Sequence, residues 1–252
     1  MNSQADRLFY ARLADMTEQS ERNGTYSFSN FLDEKQCVMA EQWCRHNSGS
    51  LMYRFWGGHE NAERKMLAFF PDYCEEYIME EFPVKCVTFR YRKEDVLSHR
   101  DFLGTFMGMK FKREVIGDII TGNGIAQAFV TETASRLITA TVSKIGRTGV
   151  KCSDDVPFEL EVKKEFTDIS GTVASLRLDC IAALASGKSR EKAAALIRGE
   201  KTCVNHFTVT SVSHEMKEGD ILSIRGAGRF VLHSVDGLTR KNRIHIVLKK
   251  YI

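Results

Sequence analysis

The chain has 252 residues, of which 43% are hydrophobic and 27% charged, with a formal net charge of +3. These values are typical of a globular protein that can bury its own core, in one large domain or two to three small ones. The sequence shows no signal-peptide pattern and no apolar run approaching about 18 residues, so we expect a soluble, cytoplasmic protein without membrane insertion. Seven cysteines without CxxC spacing favour free thiols over a disulfide framework or a zinc site.

Positive charge increases along the chain. Residues 1–83 carry 8 Lys and Arg against 14 Asp and Glu, residues 84–169 carry 14 against 12, and residues 170–252 carry 14 against 7. A polyanionic partner is therefore expected to bind toward the C-terminal end. The acidity of residues 1–83 argues against their forming the main phosphate-contacting surface.

Residues 1–83 are predicted to form a small α/β unit. The pattern predicts one helix from Ser3 to Gln19 and a second from Phe31 to His46. The apolar runs LMYRFWGG and ERKMLAFFP follow, separated by a polar turn, and they predict a β-hairpin.

Residues 84–169 are predicted to form a ferredoxin-like β-α-β-β-α-β domain, an order that many RNA-recognition modules share. Its predicted strands and helices are a strand at 84–91, a helix at 97–110, strands at 115–121 and 125–131, a helix at 131–145 and a strand from about Gly149. The Gly-Asn-Gly sequence at 122–124 predicts a hairpin turn, and Thr131 or Thr133 can cap the second helix. The last strand ends near Cys152 or continues through FELEV.

Three aromatic residues lie on the predicted strands of this domain: Phe89, Tyr91 and Phe129. They could stack on RNA bases, or they could be half-buried sheet residues. The third strand lacks the Gly-Phe-Gly-Phe sequence of typical RNA-recognition motifs.

The segment SLRLDCIAALASGKSREKAAALIRG, residues 175–199, predicts two short helices joined by a turn. Each helix has one narrow apolar stripe, which is formed by Leu178, Ile181, Ala182 and Ala185 in the first and by Ala193, Leu196 and Ile197 in the second. Ser175 and Ser189 can cap the helices, and Gly199 can end the second. Because the stripes bury little surface, we expect the pair to rest on a sheet formed by the short alternating strands that follow. Residues 161–172 are predicted to be a linker or an exit strand.

The C-terminal segment resembles a known RNA-binding domain. Arg177-Leu178-Asp179, Ser189-Arg190, residues 196–199, Val204-Asn205, and Gly219-Asp220 followed by residues 224–226 occur in the order found in the S-four-type domain, or alpha-L motif. The resemblance covers about residues 170–235. Upstream, FLDEKQ (31–36), GGHENAERK (57–65) and HRDFLGTFMGMKFKREVIGDI (99–119) are similar to the bacterial YlmH family, so that the resemblance extends over nearly the whole chain.

This resemblance implies binding to structured ribosomal or transfer RNA on the large ribosomal subunit, in quality control of stalled nascent chains. Genes of this family have also been linked to cell division. By position, the residues expected to contact RNA are Arg177, Lys188, Ser189, Arg190, Lys192, Arg198, Asn205, Arg225 and Arg229. Arg177 and Arg190 fall near helix starts, where backbone N–H groups also favour anions. Candidate contacts in the central domain are His99, Arg100, Lys110, Lys112 and Arg113.

Two alternatives remain open. The first is an RNA-modifying enzyme, similar to a pseudouridine synthase or a methyltransferase, in which His99, Arg100 and Asp101 are the candidate residues. The second is an adaptor, linked to cell division, whose acidic N-terminal unit binds a protein partner. Walker, HExxH and HxGH motifs do not occur in the sequence, so we expect no catalytic residues, cofactor, metal or small-molecule substrate.

Overall fold

The computed structural model describes residues 4–162, 165–239 and 242–252, and the chain divides into two compact units, Met1–Val162 and Lys163–Ile252. The three predicted segments therefore fall into two units. The predicted boundary after residue 169 lies inside a strand, Phe166–Val173, that pairs along its length within the sheet of the second unit. The predicted boundary after residue 83 separates two segments that share one hydrophobic core.

The first half of unit 1 combines helices with an antiparallel sheet of order β1-β3-β2. Its elements are α1 (Gln4–Asn23), β1 (Ser27–Phe28), α2 (Glu34–Asn47), β2 (Met52–Trp56), β3 (Met66–Phe70), a 3-10 helix (Asp72–Tyr77) and α3 (Ile78–Glu81). The predicted β2–β3 hairpin is confirmed. Helix α1 extends four residues beyond Gln19, and its predicted first residue, Ser3, lies outside the described residues.

Helix α2 begins later than predicted because a capping box sets its start. The Asp33 carboxylate accepts a hydrogen bond from the Gln36 backbone N–H, and the Gln36 side chain accepts one from the Asp33 backbone N–H. These bonds satisfy donors that have no partner within the helix. Phe31, the predicted first residue, instead lies before the helix and is buried in the core.

The second half of unit 1 has the predicted β-α-β-β-α-β order. Its elements are β4 (Val84–Arg90), α4 (His99–Gly108), a 3-10 helix (Arg113–Val115), β5 (Ile116–Thr121), β6 (Ile125–Thr131), α5 (Glu132–Thr141), β7 (Lys144–Ile145), β8 (Thr148–Gly149) and β9 (Lys151–Ser153). The sheet order is β5-β6-β4-β9 with antiparallel pairing, and β7 and β8 form a separate small hairpin. Thr131 caps α5. The continuation of the last strand through FELEV is wrong, since the described residues 158–162 are outside strands.

Unit 2 packs a helical hairpin on an antiparallel sheet of order β10-β15-β14-β13-β11-β12. Its elements are β10 (Phe166–Val173), α6 (Leu178–Ser186), α7 (Arg190–Arg198), β11 (Thr202–Val204), β12 (Phe207–Thr208), β13 (Ile221–Ile224), β14 (Gly228–Leu238) and β15 (Ile244–Tyr251). The apolar stripes of both helices share one core with Leu222, Phe230 and Leu248 of the sheet. The expected support of the hairpin by a sheet and the α+β class are both confirmed.

The two halves of unit 1 are joined by a shared aromatic core. Phe31, Phe70 and Phe82 from the first half form one buried cluster with Phe129 of β6. Gly117 in β5 allows this packing, since an added Cβ there would lie 2.6 Å from the Phe31 ring. The segment 84–162 therefore does not have a hydrophobic core of its own on this side of its sheet.

The segment 57–65 fastens this junction with polar contacts. The Asp118 carboxylate of β5 accepts hydrogen bonds from the backbone N–H groups of Glu63 and Arg64 at 2.7 and 3.1 Å, and it lies 3.2 Å from Nε2 of His59. The Arg64 guanidinium donates to the carbonyl oxygens of Ile116 and Phe31. Burial raises the pKa of Asp118, but these hydrogen bonds outweigh burial and hold the pKa below its usual value. The residues of the GGHENAERK sequence thus act as a structural clamp.

No helix within the described ranges is both long and apolar enough to cross a membrane. All seven cysteines are free thiols, two of them buried and five partly buried. Burial raises the pKa of Cys37 and Cys86 to about 11, which keeps these thiols protonated at neutral pH.

Replacement of Gly58 tests the clamp. Gly58 has φ +97°, and an added Cβ would overlap the Phe129 ring. We expect Gly58→Ala to lower the free energy of unfolding of unit 1 by about 2–4 kcal/mol, from backbone strain and overpacking together. Urea denaturation of the full chain measures this.

The matched control is Gly104→Ala in α4, where an added Cβ meets no atom within 4 Å. We expect this variant to be more stable than the wild type by about 0.5–1 kcal/mol, because alanine favours a helix interior. Equal effects of the two substitutions would contradict the clamp.

Candidate nucleic-acid interface

The helical hairpin of unit 2 forms through local signals at its turn. Gly187 ends α6 in the left-handed region, with φ +63°, a conformation that glycine adopts without strain. The Ser189 hydroxyl then accepts a hydrogen bond from the Lys192 backbone N–H and caps α7, and Gly199 follows its last residue. The predicted capping by Ser189 is confirmed. The predicted capping by Ser175 is wrong, since Arg177 is the N-cap residue of α6.

A buried carboxylate links the starts of the two helices. Asp179, whose side chain is 6% exposed, accepts hydrogen bonds from Arg177 Nε at 3.2 Å and Arg177 Nη2 at 3.3 Å. It also accepts a bond of 2.8 Å from Arg190 Nε. The side chains of the two arginines stay 39% and 54% exposed. Asp179 therefore holds two of the predicted RNA-contacting arginines in fixed positions at the surface.

The pKa of Asp179 is set by two opposing effects, its burial and its contacts with the two arginines. Burial raises the pKa of its carboxyl group, but the hydrogen bonds and positive charges of Arg177 and Arg190 outweigh burial and lower it. The hydrogen bond to Asp179 also raises the pKa of the Arg190 guanidinium. Asp179 and Arg190 are therefore both charged at neutral pH.

The start of α6 is not available to an anion. The backbone N–H of Leu178 donates to the His214 carbonyl oxygen at 2.7 Å, and the backbone N–H of Asp179 donates to the Val212 carbonyl oxygen at 3.2 Å. The expectation that this helix start binds an anion through its N–H groups is therefore wrong, because the loop before β13 already uses them.

The other predicted residues of unit 2 are distributed along the hairpin and its sheet. Lys188, Ser189, Lys192 and Arg198 are exposed, with Arg198 at the far end of α7, roughly 12 Å from Arg190 along the helix. Arg225 is exposed at the β13–β14 turn, and its backbone N–H donates to Lys201. Arg229 lies over the Tyr251 ring at 5.5 Å. The predicted set thus spans both ends of α7.

Asn205 has a structural role in a turn. Its amide nitrogen donates to Asp220 at 2.8 Å, and its amide oxygen accepts from the Ile221 backbone N–H at 2.9 Å. The residue itself has φ +47°, in the left-handed region that asparagine tolerates. Contact of this side chain with RNA stays a prediction, and such a contact must compete with these bonds.

One basic residue near the hairpin was not found from the sequence. Arg243 donates from Nε to the Thr172 hydroxyl at 3.1 Å and from Nη2 to the Thr172 carbonyl oxygen at 2.7 Å. The antiparallel pairing of β10 with β15 brings it there, since Val173 pairs with Ile244. Its spacing from the hairpin along the chain gives no signal of this position.

The candidate residues of the central domain lie at opposite ends of α4. His99 and Arg100 are exposed in its first turn, while Lys110 and Lys112, which are also exposed, follow its last residue. Asp101 accepts hydrogen bonds from the backbone and the hydroxyl of Ser98, so its carboxylate completes a capping box. The structure therefore gives Asp101 a role in starting the helix.

Arg113 is partly buried beside the clamp. It donates to the carbonyl oxygens of Ile116 and Gly117 at 2.6 and 3.2 Å. Burial and the nearby Arg64 charge lower its pKa to about 10. Its donors hold β5 in place, and contact with RNA stays a prediction.

The candidate stacking aromatics are all engaged within unit 1. Phe89 is fully buried against Phe102 and Phe106 of α4. Phe129 is 1% exposed between His59 and Phe158, and the Tyr91 hydroxyl donates to carbonyl oxygens of the β5–β6 turn. Base stacking by Phe89 and Phe129 is therefore wrong, because both are sheet residues of the core. Tyr91 is partly buried just after β4, and stacking by its ring stays a prediction.

The segment 157–160 closes the outer face of this sheet. Gln127, fully buried in β6, donates from Nε2 to Thr88 and to the Pro157 carbonyl oxygen. Its Oε1 accepts from the backbone N–H groups of Glu159 and Leu160. One side-chain amide thereby satisfies the polar groups of the segment that covers it.

The acidic segment Asp72–Glu81 exposes aromatic surface. Tyr73 and Tyr77 are 69% and 53% exposed, and Met79 is 41% exposed. Exposed aromatic residues are enriched at protein interfaces. A protein partner at the N-terminal unit stays a prediction, and this segment is where we expect it.

Among the described residues, no cluster of His, Cys, Asp and Glu has the composition of a metal site.

Comparison with known proteins shows the family to which the chain belongs. Residues 78–159, which include the sheet of order β5-β6-β4-β9, match the family model described as "Putative RNA-binding domain in YlmH". Over 226 residues the chain is 32% identical to the ribosome-associated protein quality control protein P2 of Bacillus subtilis (strain 168), covering 88% of this chain and 86% of the relative. The chain belongs to the YlmH family.

A solved structure is similar to this YlmH-family chain in fold. The cell division protein ylmH from Streptococcus pneumoniae superposes with a TM-score of 0.53 at 17% sequence identity. The match covers 62% of this chain and 94% of that one. At this identity the similarity shows a shared fold.

Substitution of Asp179 tests the arginine pairing. We expect Asp179→Asn to lower the free energy of unfolding of unit 2 by about 1–3 kcal/mol at pH 7, because charge-assisted hydrogen bonds are lost. Because the folded-state pKa is depressed, this stabilisation is present above the ordinary carboxyl pKa of about 3.9 and disappears as the pH falls through the folded value. Chemical denaturation at a series of pH values measures both.

The control is Asp168→Asn, which changes an exposed carboxylate in β10. We expect an effect within about 0.5 kcal/mol. A difference between Asp179→Asn and the wild type that stayed constant down to pH 2 would show that ionisation of Asp179 is not the source of the stability.

Proposed function

We propose that this YlmH-family chain is a non-enzymatic RNA-binding factor that holds structured ribosomal or transfer RNA on the large ribosomal subunit, during quality control of stalled nascent chains. The name of the Bacillus subtilis relative and the description of the matched family domain support this proposal. The excess of Lys and Arg in residues 170–252 supports unit 2 as the main binding surface. On this proposal unit 2 is an S-four-type domain.

The observation that carries the proposal is the pair of arginines fixed on buried Asp179. Arg177 and Arg190 keep part of each side chain exposed, and exposed Lys188 and Lys192 lie at the same turn. A guanidinium has five N–H donors in a planar fork that fits phosphate oxygens. Because Asp179 already orients two such forks, little side-chain freedom remains to be lost when RNA binds.

This arrangement suits folded RNA better than a single strand. Double-stranded RNA is recognised by its shape and through its phosphates and 2′-hydroxyl groups. Single-stranded RNA is held largely by stacking on exposed aromatic rings, and the candidate rings Phe89 and Phe129 are buried. The hairpin offers fixed cations on a rigid support, which is what helical RNA requires.

Removal of two exposed lysines tests the surface without disturbing Asp179. We expect Lys188→Gln with Lys192→Gln to weaken co-sedimentation with large ribosomal subunits. The dependence of log K on log salt should become shallower by about 0.9 for each phosphate that the variant no longer neutralises. Sedimentation binding curves at several potassium chloride concentrations measure both effects.

The matched control removes the same charge elsewhere, with Lys85→Gln and Lys217→Gln, both of which are exposed. We expect this variant to bind subunits with the wild-type salt slope. Equal losses of affinity in the two double variants would show that binding depends on net charge and not on the position of the lysines. Unchanged binding of the Lys188/Lys192 variant would refute the hairpin as the binding surface.

A further inference from the structure

A groove of about 420 Å³ lies beside the α6–α7 turn of unit 2. Its apolar side is formed by Val173 at the end of β10 and by Ala183 and Leu184 of α6. Three cationic residues, Lys188, Arg190 and Arg243, complete its lining, and the described lining residues include no acid. The groove therefore combines an apolar wall with a cationic rim.

The apolar wall is fixed by close packing. Leu184 lies against β10 at Gly171, where an added Cβ would be 2.6 Å from the Leu184 side chain. Val173 is 3% exposed and belongs to the core of unit 2. The wall therefore does not need to be ordered when a ligand enters, which lowers the cost of binding.

The cationic rim is also held in place. Arg243 is fixed by its two hydrogen bonds to Thr172, and Arg190 is fixed by its bond to Asp179. A guanidinium has five N–H donors, so each arginine retains donors beyond those used in these bonds. The two arginines are far apart in the sequence of unit 2, and the pairing of β10 with β15 brings Arg243 to the same groove as Arg190.

The shape and chemistry of the groove decide between ligands. Contact with the phosphates of a regular RNA helix needs cations but no concave apolar wall. A flat base with phosphates on either side needs both features, and a groove of this volume falls within the range of small-ligand sites. Bases that leave the stack at bulges and loops are the parts of RNA that proteins read individually.

We propose that this groove binds one unstacked nucleotide of the RNA whose helical part lies on the α6–α7 hairpin. The base contacts the apolar wall, and its flanking phosphates contact Lys188, Arg190 and Arg243. The inference rests on the proposed function and adds to it the kind of RNA recognised, which is a helix interrupted by an unpaired nucleotide.

Two RNA duplexes of equal length, one fully paired and one with a single unpaired nucleotide, test this inference with the full-length protein. We expect the wild type to bind the interrupted duplex about five- to tenfold more tightly, the scale of one base contact. Ala183→Met, which fills the groove with a good helix former, and Arg243→Gln should each reduce this preference to less than about twofold, since each removes part of that contact. Binding of both variants to the fully paired duplex should stay close to that of the wild type.

The matched controls are Ala195→Met, on an exposed position of α7 outside the groove, and Lys217→Gln. Both should retain the preference, and thermal unfolding checks that every variant is folded. Equal wild-type affinity for the two duplexes, or a preference that survives both groove variants, overturns the inference and leaves the proposed function intact. Failure to bind either duplex overturns the proposed function and the inference with it.

A mixture of nucleoside monophosphates separates an RNA nucleotide from a free one. We expect it to compete weakly, because a free nucleotide lacks the helical contacts of the hairpin. Saturable binding of a free nucleotide without any preference for the interrupted duplex would assign the groove to a small-molecule ligand and overturn the inference.

Discussion

The candidate RNA-binding surface of unit 2 is organised by one buried anion, the carboxylate of Asp179. A carboxylate that leaves water loses several kcal/mol of hydration, and only close, well-oriented partners offset that loss. Asp179 has two such partners, Arg177 and Arg190, which also connect the starts of the two helices. The pairing lowers the local charge by one, yet it fixes the direction of two guanidinium groups. Fixed direction lowers the side-chain entropy that binding of a polyanion would cost.

The second half of unit 1 has the β-α-β-β-α-β order of RNA-recognition modules, but the open face of its sheet is covered. A sheet of this order leaves one face without helices, and RNA-recognition modules use that face for aromatic stacking. Here the face is covered by Phe31 and Phe82 of the N-terminal half and by the segment 157–160, which Gln127 holds. The candidate cations of the matched domain lie instead at the two ends of α4. Any contact of this domain with RNA must therefore use a surface other than the open sheet.

The sequence predicted those features that depend on local chemistry. The Gly122–Gly124 hairpin, the Thr131 and Ser189 caps and the apolar stripes of the hairpin each depend on residues close together in the chain. The strand β10 was ambiguous because five of its eight side chains are exposed and show no apolar alternation. Among the described residues it lies at a sheet edge and pairs only with β15. The burial of Phe129 could not be predicted from the local sequence pattern either, since it depends on distant residues such as Phe31 and Phe158.

The sequence pointed to the candidate cations of the hairpin. It did not show that Asp179 holds two of them in place, and it did not point to Arg243. The role of Asp179 as a shared acceptor requires the angle between two helices, and the position of Arg243 requires the register of β10 with β15. These tertiary features also separate two tasks. On the proposed function, phosphate contacts along α6 and α7 would supply affinity and orientation without distinguishing one helix from another. If the groove admits one base as proposed, the same small domain would have a means to select its site, because a regular helix has no base to place in the groove.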